Sequence, residues 1–329
     1  MYSIGAVPGG RLVEVAPSRW DALLAELGIT DVYASRGFVA ASAPLAGGEP
    51  VLLHDGERLA FPLLVRSDPA DVVTPYGYGG PLGTPRPDFP DAYAEWCAGR
   101  GIVSSFVVFH PLYRNGEAAE ALGFRPTALA GTVAWRLDGD LIAGMHKHHR
   151  RIVRRALADG CAVSVTVAPD DLGAFIDAYE QTMRRADAAP FYFFPPAYWA
   201  ALQREVRLVR VDVSRDGELL ASVLGMGEPP WLHYHLGGST EAGRGSGASH
   251  VALLGLAEYG AAQGYSVLHL GGGVGGRADS LLEYKRRFFP DGVVGAVIGK
   301  AVHDEAAYLA LTGGDAVDWD GFFPAYRQR

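Results

Sequence analysis

Two histidines and a lysine stand where they could do chemistry. In His233-Tyr234-His235 the histidines alternate with Tyr234, so in an extended strand both imidazoles face one side and Tyr234 the other. An imidazole titrates near neutral pH, which makes either histidine a candidate general base, His235 being the one carried forward; a histidine satisfied within the core fits the same spacing for at least one of them. Lys285 lies in Tyr284-Lys285-Arg286-Arg287-Phe288, a short helical stretch after the run Gly271-Gly272-Gly273-Val274-Gly275-Gly276. An ammonium held beside a Gly-rich strand end can neutralise a developing oxyanion. The same spacing also suits an ordinary solvated helix lysine. A third feature is the strand ending in Gly237-Gly238, followed by Arg244-Gly245-Ser246-Gly247-Ala248-Ser249 and an apolar helix over 250–263. A Gly-rich turn opening a helix aims backbone N–H groups and the positive helix end at an anion, although a purely structural turn has the same residues.

Several chemistries are excluded. The run from Gly271 spells G-x-G-x-x-G, but only 58 residues follow Gly271, too few for the rest of a dinucleotide domain. Its glycines instead let two backbones, or a backbone and a substrate, approach closely. There is no G-x-x-x-x-G-K-[ST], no G-x-S-x-G elbow and no H-E-x-x-H, so neither nucleotide hydrolysis, a serine nucleophile nor a metal site is expected.

The chain carries 37 acidic against 29 basic residues, a net charge of −8, which excludes a generic nucleic-acid coating protein. Against that background His146-Lys147-His148-His149-Arg150-Arg151, continued by Arg154 and Arg155, is a local basic helix. A solvated face explains such a run; a phosphate-rich partner such as RNA, gripped through its backbone charge, is the sharper reading.

The elements that must position these groups come from 329 residues that are 49% hydrophobic, enough for two domains with substantial cores. Cys97 and Cys161 lie far apart, which fits a reducing cytosol rather than a disulfide framework. The start, Met1-Tyr2-Ser3-Ile4-Gly5-Ala6, lacks a cationic and apolar leader, and no apolar run reaches membrane-spanning length, so a cytoplasmic protein with no membrane insertion is expected. A duplication is visible. Asp55-Gly56-Glu57 and Asp216-Gly217-Glu218, 161 residues apart, are both hairpin signals. Tyr78-Gly79-Gly80 and Leu236-Gly237-Gly238 come next, then helices with Ala94-Glu95-Trp96 and Ala257-Glu258-Tyr259, then buried strands at 104–110 and 266–270. Hairpins combined with a βαβ crossover imply an α/β protein with mixed sheets. The strand at 131–137 and the turn Asp138-Gly139-Asp140 suggest domains over 1–138 and 139–302, with 303–329 returning to pack on the first.

These residues resemble a known family. Arg244-x-x-Gly247-x-Ser249 approaches the turn that holds the pyrophosphate of coenzyme A in the GNAT acyltransferase fold. Tandem GNAT-like domains with Thr74-Pro75-Tyr76-Gly77-Tyr78-Gly79-Gly80-Pro81 in the first look like the Fem-type aminoacyltransferases. So do the basic helix opening the second domain and Tyr284-Lys285-Arg286-Arg287-Phe288 near the end. The resemblance implies two tandem GNAT-like domains and transfer of an amino acid from aminoacyl-tRNA to an acceptor amine, with no cofactor. It implies that Lys285, in the aromatic-Lys-x-x-Phe position, stabilises the oxyanion, and that Tyr192 and Tyr234 lie in the acceptor cleft. The substrate-binding set is then Tyr76, Tyr78, Tyr192, Tyr234, Gly237, Gly271 and Gly272; Lys147, Arg150, Arg151, Arg154 and Arg155 would meet tRNA. The sequence departs from the peptidoglycan-acting members: Gly83 and Thr84 follow Leu82 where those have an acid. That departure points to a small peptide or amine as acceptor. An acyl-CoA-dependent N-acyltransferase and a non-catalytic peptide- or glycan-binding pair are the alternatives.

Overall fold

Both Asp-Gly-Glu sites close β-hairpins in the computed structural model, which describes residues 12–328; the start Met1-Tyr2-Ser3-Ile4-Gly5-Ala6 lies outside these. The chain runs through β1 (Val13–Glu14), β2 (Gly48–His54), β3 (Leu59–Arg66), β4 (Asp71–Val73), β5 (Leu82–Gly83), β6 (Ser104–Val108) and β7 (Arg125–Ala128). It continues through β8 (Thr132–Arg136), β9 (Ala162–Val167), β10 (Leu208–Arg215), β11 (Glu218–Met226), β12 (Trp231–Ser239), β13 (Val267–Gly271), β14 (Val293–Val294) and β15 (Val297–Val302). Among the described residues, those through Leu129 and from Gly295 onward form one unit; Ala130–Val294 form the other.

The sheet of the first unit has the order β1-β2-β3-β4-β6-β15-β7, with β5 on β3, and that of the second β14-β8-β13-β12-β11-β10-β9. Both are mixed. In each, a hairpin and a third strand run antiparallel, and a helix then crosses to a fourth strand parallel to the third. The crossover helices are Phe89–Gly99 and Ala248–Ala262, which carry the two Ala-Glu-aromatic repeats. They bury different faces: Phe89, Tyr93 and Cys97 in the first core, and an almost wholly apolar helix in the second.

The hairpins reach the same end by different turns. Asp216 and Gly217 both take positive φ, 53° and 81°, as a tight two-residue turn requires. Asp55 instead folds a longer loop around its own carboxylate, whose Oδ1 accepts the N–H groups of Glu57, Arg58 and Leu59.

The Gly-Gly pairs do not superpose in topology. Gly79 bridges the following strand at Phe109, whereas Gly237 and Gly238 stay on the preceding strand, opposite Val223 and Ser222. After β6 the chain makes a short 3-10 turn, Asn115–Ala118, where the second unit has the helix Ser280–Arg286.

The division also differs from the one expected at 138 and 302. β8 does not close the first sheet; it pairs β13 and β14 in the second, and β15 takes the place beside β6. Each sheet is thus finished by a strand that follows the other repeat. An apolar strand such as Thr132–Arg136 fits a buried sheet position equally well in either unit, so local pattern could not assign it. Residues after 302 belong to the first unit, where Arg327 donates to the buried Asp71 carboxylate at 3.0 Å and to the carbonyls of Ser67 and Pro69. Cys97 and Cys161 are separate buried thiols. Among the described residues no helix is long and apolar enough to cross a membrane.

Candidate functional site

In the second unit two parallel neighbours separate. β12 and β13 pair only from Trp231 and Val267 to His233 and His269. Beyond that point β12 stays on β11 and β13 stays on β8. The register of β12 against β11 jumps from Leu236 to Tyr234, so His235 is the extra residue of a β-bulge. The parting lies at the carboxyl ends of parallel strands, where ligands of open α/β sheets bind.

Lys285 is held at the end of β13 by its own helix. Asp279 caps that helix through Oδ1, which accepts the N–H of Leu282 at 2.9 Å, while Oδ2 accepts the N–H of Val274 at 2.8 Å. One carboxylate therefore ties the Gly-rich loop to the helix. The glycines make that loop possible: a Cβ on Gly273 would lie 2.2 Å from the Arg277 carbonyl, and one on Gly272 would lie 2.9 Å from the Gly131 carbonyl. Gly271 takes a φ of 73°, which turns the chain out of β13.

Lys285 is 8% exposed. Its Nζ donates to the Gly272 carbonyl at 2.7 Å and stands 5.7 Å from the Tyr234 ring centroid, within cation–π range. Among the described residues the Gly272 carbonyl is the one acceptor it meets, and an ammonium has three donors. Burial pushes its pKa down to about 8, against the opposing pull of the Asp279 carboxylate. Burial also pushes the Tyr234 phenol up to about 12, so it is neutral at physiological pH. Gly237 makes room for that ring: a Cβ there would lie 2.8 Å from the Tyr234 hydroxyl and 2.9 Å from Val223. Lys285, Tyr234, Gly237, Gly271 and Gly272 thus form one local arrangement.

The histidines divide. His233 and His269 are fully buried and face each other through their Nδ1 atoms at 3.2 Å, and His269 Nε2 meets the Thr132 hydroxyl at 2.9 Å. His235, shifted by the bulge, meets the Tyr198 hydroxyl through Nε2 at 2.6 Å instead. Burial, assisted by His233, pushes the His235 imidazole down to about 3. That makes it a weak base near neutral pH, contrary to the expectation of an ordinary titrating imidazole.

The other expected substrate residues lie elsewhere. Tyr192 is half-buried in the 3-10 turn Pro190–Tyr192, its carbonyl accepting from the Tyr179 hydroxyl at 2.8 Å. Tyr76 and Tyr78 belong to the first unit, where Tyr78 packs edge-on against Tyr33 and near His110. Asn115 fixes their loop by donating from Nδ2 to the carbonyls of Gly79 and Pro81.

The basic helix runs Lys147–Ala158 and buries His149, Val153 and Ala156. Lys147, Arg151, Arg154 and Arg155 are exposed; Arg150 is half-buried and donates to the Ala143 carbonyl at 2.7 Å. His149 is not part of the basic surface. It sits edge-on to His250 at 4.5 Å and beside Phe288 and Tyr284, and burial with neighbouring positive groups pushes it down to about 3. The His146 N–H donates to the Arg287 carbonyl, so the basic helix begins where the Lys285 helix ends. The turn before helix Ala248–Ala262 is partly used internally: Ser246 Oγ accepts the Ala248 N–H, and a Cβ on Gly247 would lie 2.8 Å from Ile152. Arg244 is exposed beside Glu241 at 3.5 Å.

Sequence reading missed Asp279 and the bulge. Asp279 ahead of Leu281 and Leu282 is an N-cap signature that was legible; a bulge leaves no such residue signal.

The two units, each with a parallel pair, a crossover helix and antiparallel flanks, define the tandem GNAT fold. Residues 133–286 match the acetyltransferase (GNAT) domain family. The chain is similar to the crystal structure of FemX, with a TM-score of 0.66 and 13% identity over 91% of this chain and 99% of FemX. It is similar to L-PGS from Bacillus licheniformis, with a TM-score of 0.58 and 16% identity over 89% of this chain and 93% of that one. A tandem GNAT protein from the clavulanic acid biosynthesis pathway gives 0.56 and 13% over 89% and 98%. No curated protein sequence matches the chain significantly. At these identities the structural likenesses establish the fold.

Proposed function

We propose that the second unit is an acyl-transfer centre that joins an amino acid, delivered as an aminoacyl-tRNA ester, to an acceptor amine. The observation that carries this reading is the buried Lys285 ammonium at the end of β13, with one donor on Gly272 and others left for an oxyanion. The amine nitrogen attacks the ester carbonyl carbon and the C–N bond forms. The carbonyl oxygen becomes an oxyanion opposite the ammonium, the C–O bond breaks, and the proton lost by the amine ends on the departing ribose oxygen. An ester is already activated, so alignment and charge stabilisation suffice. With His235 a weak base, the acceptor enters as its neutral amine.

The exposed Lys147, Arg151, Arg154 and Arg155 supply a footprint for the tRNA backbone, and the likeness to FemX fits the donor that the Fem-type resemblance implies. Tyr192 remains a proposed acceptor contact, with a small peptide or amine as the acceptor; Tyr76 and Tyr78 remain proposed as substrate-binding residues of the first unit. The rival donor is acyl-CoA, favoured by the acetyltransferase domain match. The packing of Ile152 against Gly247 and the internal use of the Ala248 N–H argue against a pyrophosphate in that turn. Incubation with charged tRNA or with acetyl-CoA, each with a panel of amines, separates the two. Amide product from acetyl-CoA alone would overturn the proposed donor.

A further inference from the structure

Among the described residues the main strand orders of the two sheets end in β1, β7, β14 and β9, and three of these ends are blunted. β1 and β14 are two residues long, and β7 carries Arg125 and Pro126. Short edge strands, charge and proline are the ordinary means by which proteins prevent strand addition. The fourth edge, β9, has none of these. It runs six residues as Ala-Val-Ser-Val-Thr-Val, without charge, proline or glycine, and its register against β10 is unbroken. Among the described residues, Ala162 to Val167 make no backbone hydrogen bond outside the ladder with β10. Val163, Val165 and Val167 point to one face and are 39%, 42% and 41% exposed.

The pattern is symmetric about its own centre. In an antiparallel pairing through Val165, Val163 of one copy meets Val167 of the other, and Val165 meets Val165. All three valines then find valine partners on one face, while Ser164 meets Thr166 on the opposite face. A centre at Ser164 would pair Val167 with Cys161 and break the stripe. A stripe that complements itself fits an isologous two-fold contact, in which the same surface serves both partners.

We propose that the partner of β9 is β9 of a second copy of this chain, antiparallel about a two-fold axis through Val165, so that two seven-stranded sheets become one. This does not rest on the transfer reaction. Sedimentation over the micromolar range should give a mass twice the chain's 35.0 kDa. Val165→Lys, at an exposed position, should give the single-chain mass while still unfolding in one cooperative transition, its melting temperature no longer dependent on concentration. In a Cys161→Ser background, Val165→Cys should oxidise to a cross-linked dimer, because the axis sets that residue opposite itself at disulfide distance. Val163→Cys should not cross-link, because its partner is Val167. A parent chain that stays at single mass throughout, or a Val165→Lys variant still at twice that mass, would overturn the proposal. Cross-linking through Val163→Cys but not Val165→Cys would overturn the register.

Discussion

The Lys285 ammonium is bonded to the carbonyl of Gly272, 13 residues before it, at 2.7 Å. The bond fixes the charge at the point where β13 leaves its parallel neighbour. The carbonyl can accept this bond because Gly272 has no Cβ to strike the Gly131 carbonyl.

Replacing Lys285 with Met keeps the stem and removes the charge. Turnover in a single-turnover assay with charged tRNA should fall on the order of a hundred- to a thousand-fold, as for loss of one oxyanion donor. Donor and acceptor binding should change far less, since the charge it answers exists mainly in the transition state. Lys285→Arg should rescue in part, because a planar fork cannot reproduce a compact ammonium. Turnover within a few-fold of the parent would remove Lys285 from the mechanism.

Activity should fall as pH rises through about 8, where Lys285 loses its proton. Stability should move the opposite way. Folded Lys285 titrates near 8 and an ordinary lysine at 10.5, so between those values the unfolded chain binds more protons and the folded form gains as pH rises. Denaturant titrations of the parent and of Lys285→Met should show this gain in the parent only. Parallel curves would mean that burial does not depress the lysine.

Reversing charge at Arg151, Arg154 and Arg155 together should weaken charged-tRNA binding and flatten its salt dependence, because fewer counterions are released. Arg150→Ala should matter less for that slope, since its guanidinium is engaged with Ala143. Filter binding across a salt series measures both. An unchanged slope in the triple variant would detach the helix from RNA.

Gly237→Ala should lower turnover without unfolding the chain, because the new methyl group would lie only 2.8 Å from the Tyr234 hydroxyl and displace the ring. Tyr234→Phe removes that hydroxyl, and in combination it should recover part of the loss. Failure of Tyr234→Phe to help would place the damage at Val223 instead.

Hairpins, crossover helices and the Lys285 helix were legible because each is written in local residues: Asp-Gly at a turn, an apolar helix, a cap. The assignment of Thr132–Arg136 to a sheet was not, since an apolar strand states only that it is buried. The weak basicity of His235 was equally hidden. It arises from burial, with His233 adding to it, and the bulge that turns the ring toward Tyr198 leaves no mark on the alternating His-Tyr-His pattern. Lys285 could be singled out by position, but its depressed pKa follows from burial that only the folded chain reveals. The symmetric valine strand is plain in the sequence, yet only the sheet order shows that it is an edge.

β7 and β15 are antiparallel neighbours, and the Leu129 N–H still bonds to the Ala296 carbonyl at 2.9 Å where the chain departs and returns. At the other mouth Thr132 pairs with Val294. The second unit is therefore a continuous cassette, spliced into the tip of a β-hairpin of the first. Its two ends emerge on adjacent strands, so residues 130–294 can be lifted out as one piece and the hairpin reclosed with a short turn. Grafted onto another hairpin of matching register, the cassette would carry Lys285, Asp279 and the basic helix with it.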